Sequence, residues 1–160
     1  RKTFLHYRMM VLSAGAVLLS IMVAWGYLVI VKLYPSAYAS GAWIVPILSI
    51  GLWDTLLHQT TNPVLLSLGK SKYGAISNAL WCASIYITIP LAYHHFGFTG
   101  AVVAIAAGDF PVYIVTQYGA TREKIRPLKQ GFLLTVFFVC MIAICLSIRH
   151  LVGGLPFFHV

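Results

Sequence analysis

The chain has 160 residues, of which 60% are hydrophobic and 9% charged, with a mean hydropathy of +0.88. Soluble domains carry about 25% charged residues, so a water-facing globule is excluded and the bilayer is the solvent in which the chain has to be read. The formal charge of +8 would point to nucleic acid in a soluble protein, but here the basic residues lie in short connections between apolar blocks, where they set topology against an anionic leaflet; no nucleic-acid partner is expected.

In chain order, the basic residues Arg1, Lys2 and Arg8 precede a first apolar block from Met9 to Val31. A chain that begins at Arg1 in this way is expected to be an excised piece of a longer protein. Further blocks run from Gly41 to Leu68, Tyr73 to Tyr93, Gly100 to Tyr118 and Phe132 to Leu151. Four of the five blocks have 19 to 23 residues and Gly41 to Leu68 has 28, each enough to cross the hydrocarbon layer. The expected fold is all-α, a polytopic membrane helix bundle of about five transmembrane helices, with residues 1–160 as a single bundle. Breakers mark the turns: Pro35 in LYPSAYASG, Gly69 and Gly74 in LGKSKYG, Gly97 and Gly100 in HHFGFTG, Pro127 in TREKIRPLKQG. Tyr34, Tyr38, Trp43, Tyr73, Tyr93 and Tyr118 fall at block ends, where an amphipathic ring suits the headgroup level. Cys82, Cys140 and Cys145 lie inside apolar blocks and are read as packing residues.

Cytoplasmic loops accumulate Lys and Arg, and this fixes the orientation expected. Arg1, Lys2, Arg8, Lys70, Lys72, Arg122, Lys124, Arg126 and Lys129 fall on one side, against Lys32 and Arg149 on the other. The N-terminus, LGKSKYG and TREKIRPLKQG are therefore placed in the cytoplasm, and LYPSAYASG, HHFGFTG and the C-terminal GGLPFFHV outside.

The second block is unusually polar in its lower half, WDTLLHQTTNP. At 100° per residue Gly51, Asp54, Thr55, His58, Thr61 and Asn62 share one stripe, which has to face protein or water, and Pro46 and Pro63 are expected to bend the helix. The chain has only three acidic residues. Asp54, roughly 16 Å along the helix from Trp43, and Asp109, roughly 14 Å from Gly100, both fall near mid-bilayer. An ionisable group there costs at least about 2.5–3.5 kcal/mol unless paired or hydrated, so it marks either a transport pathway or an interhelical hydrogen bond that fixes packing. His58, one turn from Asp54, is either half of a proton relay or a histidine that lines hydration or packs. Pro111 removes the donor for the Ala107 carbonyl, which implies irregular backbone at Asp109, and irregular backbone at this depth has to face protein or water. Candidate pathway residues are thus Asp54, His58, Asn62 and Asp109. His94 and His95 are read as an interfacial turn. Gly100, Ala104, Ala107 and Gly108 permit close helix packing. No nucleophile elbow, phosphate loop or HExxH is present, so neither enzyme chemistry nor a cofactor or metal is expected.

From Leu33 to Gln130 the order of features resembles the C-terminal half of bacterial polysaccharide and O-antigen flippases of the multidrug/oligosaccharidyl-lipid/polysaccharide exporter superfamily. The matching elements are Tyr34, Pro35 and Tyr38; Gly41, Ala42 and Trp43; Leu68, Gly69, Lys70 and Asn78; and Gly97, Gly100 and Ala101. The resemblance implies a two-lobed inner-membrane exporter that rocks around a central cavity and flips a polyprenyl-linked oligosaccharide, with this chain supplying most of the second lobe. The implied partners are the lipid bilayer, the lipid-linked glycan and the N-terminal lobe of the same chain. A multidrug or cation antiporter of the same superfamily is the nearest alternative. A membrane-embedded glycan-processing enzyme would need acidic or histidine residues near a membrane surface, whereas these carboxylates are at mid-depth.

Overall fold

The computed structural model describes residues 2–35, 38, 41–123 and 128–151, the side chains of Lys2 and Leu128 apart. Arg1, Lys124, Arg126, Pro127 and the GGLPFFHV end lie outside the described residues. In hydrocarbon no water satisfies a backbone N–H or C=O, so long apolar stretches close their own hydrogen bonds as helices. The elements are α1 (Lys2–Leu33), α2 (Ile44–Gln59), α3 (Asn62–Ser67), α4 (Ser71–Ala107), α5 (Phe110–Arg122) and α6 (Leu128–Leu151). Thr3–Leu33, Ser71–Arg122 and Lys129–Leu151 are long and apolar enough to cross a membrane. The chain is an all-α membrane helix bundle.

Hydroxyls inside the helices are satisfied locally. Ser20, Ser49, Thr88, Thr121, Thr135 and Ser147 each donate to the carbonyl four residues back, which lets a polar side chain sit in an apolar span.

The Ser71–Arg122 stretch is a hairpin of two arms. Gly97 has φ 63° and ψ −151°, a combination essentially restricted to glycine, and the chain reverses there. Across the hairpin, Ser77 Oγ lies 3.5 Å from Thr116 Oγ1, and a Cβ on Gly119 would sit 2.9 Å from the Tyr73 ring. The reversal thus needs a single residue, and His94 and His95 are still helical, where the sequence reading places a longer turn. The second arm is interrupted at Gly108 and Asp109 before α5 begins, with Pro111 in its first turn. Similarly, α2 and α3 form one rod broken at Thr60 and Thr61. Pro63 has no N–H to offer Gln59, and the hydroxyls of Thr60 and Thr61 cover the Leu56 and Leu57 carbonyls near the break. Pro46 bends nothing, because it lies in the first turn of α2, where no intrahelical donor is needed.

Among the described residues five rods result, and they alternate in direction. α1 and α2 are antiparallel: a Cβ on Gly15 would meet Leu56 and one on Gly26 would meet Val45. α1 and α6 are parallel, since Gln130 Nε2 donates to the Leu5 carbonyl and Arg149 Nη1 to the Ala24 carbonyl, both at 2.7 Å and both 125 residues apart in sequence. Leu12, Ala16, Trp53, Leu57, Leu134 and Phe138 form the core between α1, α2 and α6. Trp53 stacks on Phe138 at 4.5 Å between centroids and donates Nε1–H to Thr135 Oγ1 at 3.0 Å. A smaller cluster of Leu65, Tyr73 and Ala120 joins α3, α4 and α5.

Several residues differ from their sequence-based placement. Tyr73 is a buried core residue rather than an interfacial ring, because Gly119 opposite it leaves room for the ring face. Cys82 and Cys140 are exposed on the outer surface of their helices, and only Cys145 is buried. Arg8 and Arg149 are not loop charges but buried members of α1 and α6. Arg8 donates to Thr60 Oγ1 and Gln130 Oε1, a partition among neighbouring acceptors that a five-donor guanidinium can satisfy. Lys70 pairs with Glu123 at 3.3 Å, so the α3–α4 turn, the end of α5 and the starts of α1 and α6 meet at one end of the bundle.

Candidate functional site

α2 is flanked on both sides, by α1 and by the α4–α5 hairpin. Trp53 and Leu57 turn toward α1 and α6, while Gly51, Thr55 and His58 turn toward the hairpin. Gly51 is indispensable to that approach: a Cβ there would lie 2.7 Å from Ala106 Cα, closer than real contacts, so the two backbones touch directly. One turn further along α2, the Thr55 hydroxyl donates to Asp109 Oδ2. His58 Nε2 lies 3.8 Å from the same oxygen, beyond hydrogen-bond range. His58 is buried, and its Nδ1 has no hydrogen-bond partner among the described residues. Asp109 itself stands immediately before α5, where the helix dipole favours a carboxylate.

Two adjoining clefts share Thr55, Trp81 and Asp109. One, of about 290 Å³, adds His58, Gln59 and Asn78. The other, of about 260 Å³, adds apolar walls from Leu48, Leu52, Ile85 and Ile105. Together they make a groove between α2, α4 and α5 that is polar at one end and apolar at the other.

The four candidate residues therefore separate. His58 and Asp109 come together, so the carboxylate beside His58 is Asp109 and not Asp54. Asp54 lines a different cleft of about 280 Å³ with Ile47, Ile50 and Val103. Asn62 Oδ1 is buried without a hydrogen-bond partner among the described residues, 3.5 Å from where a Gly74 Cβ would stand. The stripe runs from α2 into α3, and the hairpin meets it most closely at Gly51, Thr55 and His58, with Asn62 against Gly74 and Asp54 at the cleft beside Val103. Trp81 and Asn78, on α4, were not anticipated as site residues; the signal for them is a polar residue inside an apolar block, with an aromatic one turn away.

A second polar cluster lies where Gly131 of α6 faces α1 and α5. A Cβ there would be 3.5 Å from the Tyr113 hydroxyl, 3.8 Å from Arg8 Nη2 and 3.9 Å from Gln117 Nε2. These groups are enclosed by helices and reach neither cleft. No group of three His, Cys, Asp or Glu side chains among the described residues is arranged to hold a metal ion.

Chemically, the groove offers an oriented carboxylate, two amides and an indole beside an apolar trough. It can accept hydrogen bonds from a polar group while an attached apolar chain stays in hydrocarbon. Compared with protein-family models, curated proteins and solved structures, the chain matches none.

Proposed function

We infer that the chain is the second-lobe portion of a bacterial inner-membrane transporter that flips a polyprenyl-linked oligosaccharide for polysaccharide or O-antigen export. The carrying observation is the groove at Asp109, whose polar and apolar halves share the Thr55, Trp81 and Asp109 walls. An amphipathic groove inside a membrane suits a ligand with a hydrophilic head and a hydrocarbon tail, and it gives the intramembrane carboxylate a role beyond packing. The charge distribution supports the orientation: Arg8, Lys70, Lys72, Arg122 and Lys129 gather at the end put in the cytoplasm, and Lys32 and Arg149 at the other. The N-terminal lobe that the resemblance implies would supply the facing wall of the cavity.

The test is reconstitution of the full-length protein in vesicles with a fluorescent lipid-linked oligosaccharide in the inner leaflet, followed by loss of signal to an impermeant quencher. Protein-dependent quenching supports the reading. A rate equal to that of protein-free vesicles, with correctly folded protein, rejects it. A cation antiporter is the second reading, favoured by Asp54 and Asp109 lying in separate clefts of one bundle; it predicts exchange of an organic cation and no movement of glycan.

A further inference from the structure

We propose that the polar half of the groove is a subsite for a single sugar ring, with the Trp81 indole as its platform and Asn78, Gln59 and Asp109 as its hydrogen-bonding edge; this rests on the glycolipid reading above. The cleft of about 290 Å³ lies just below the range of about 300–1,000 Å³ typical of drug-sized ligand sites, which fits one ring rather than a chain of them. A hexose has an apolar face of C–H groups and a rim of hydroxyls. An aromatic face meets the first with its electron-rich surface. Planar amides and carboxylates meet the second, since each offers two groups at the spacing of adjacent hydroxyls.

Asp109 is prepared for this role. The Thr55 hydroxyl donates to Oδ2 and His58 faces the same oxygen, so Oδ1 is the edge a ligand hydroxyl would meet. Trp81 is 44% exposed, and Asn78 and Gln59 are also exposed, so all three have side-chain surface open to a ligand. The apolar half begins at the same Trp81, so a tail attached to the bound ring passes directly into the trough lined by Leu48, Leu52 and Ile85.

The experiment measures vesicle flipping by the full-length protein with two probes of equal chain length: a fluorescent short-chain prenyl phosphate carrying one hexose, and the same lipid without sugar. Trp81→Ala and Asn78→Ala should each raise the half-saturating concentration of the glycosylated probe at least fivefold, with Trp81→Phe staying within about twofold of wild type. The loss should be larger on the glycosylated probe than on the sugar-free lipid, most clearly for Asn78→Ala, whose side chain does not line the apolar half. Protection of the buried Cys145 thiol from a maleimide dye checks that each variant is folded. If folded Trp81→Ala and Asn78→Ala handle the glycosylated probe like wild type, the subsite is wrong while the glycolipid reading stands. If wild type itself moves no glycosylated probe, that reading falls and the subsite falls with it.

Discussion

Replacing Gly51 with Ala tests the contact on which the candidate site depends. The new Cβ would stand 2.7 Å from Ala106 Cα and 2.9 Å from Ala106 C, against carbon separations of about 3.5–4.0 Å at optimal contact. Backbone cannot swing aside as a side chain does, so α2 and the second hairpin arm have to part by about 1 Å. Overpacking of this kind costs about 1–3 kcal/mol, and the better helix propensity of Ala returns at most about 1 kcal/mol. At about 2–4 °C per kcal/mol for a chain of this size, the melting temperature should fall by several degrees. Gly15→Ala is the matched control. Its Cβ would meet Leu56 Cδ1 at 2.8 Å, the far end of a side chain that can rotate, so a change within about 0.5 kcal/mol is expected. Thermal unfolding in detergent can be followed by dye labelling of buried Cys145, with exposed Cys82 and Cys140 changed to Ser. Unfolding of Gly51→Ala at or above the wild-type temperature would refute the backbone-to-backbone contact.

Gly97→Ala forces a Cβ into a backbone conformation that costs about 1–3 kcal/mol; with φ at 63°, the variant should melt lower although nothing lies within 4 Å of the new atom. A cysteine at Lys129 should resist an impermeant maleimide in intact cells, and one at Phe98 should react; the opposite pattern inverts the proposed orientation. Cysteines at Thr55, Gln59 and Asn78 should react with a small water-soluble thiol reagent, whereas cysteines at Ile87 and Val139, exposed and lining none of these clefts, should not. Uniform silence along the first set would make the groove a dry packing interface.

The spans were legible because hydropathy and length are properties of contiguous residues, and so were the interruptions at Pro63 and before Pro111, since proline acts locally. The hairpin apex was only partly legible: HHFGFTG announces a turn, but that Gly97 alone makes it depends on a backbone angle that no side chain encodes. Partnerships between spans were beyond reach. His58 shares a stripe with Asp54, which made Asp54 the natural partner, yet the contact with Asp109 arises from Gly51 admitting the Ala106 backbone 55 residues away in sequence, much as Thr55 reaches Asp109 across |i−j| of 54. Tyr73 misled for the same reason, because a tyrosine at a block end suits the interface equally well until Gly119 is found opposite it.

The most direct test of the transport reading is glycan export by Asp109→Asn in the full-length protein, compared with wild type at matched membrane levels. The amide keeps the shape of the carboxylate and can still accept from Thr55 through its oxygen, so insertion and folding should be preserved. What is lost is the charge facing His58 and one acceptor on the wall of the groove. A pathway role predicts that export drops at least several-fold while the protein remains folded. Wild-type export by a folded Asp109→Asn protein would contradict it and leave Asp109 as a packing residue between α2 and the hairpin.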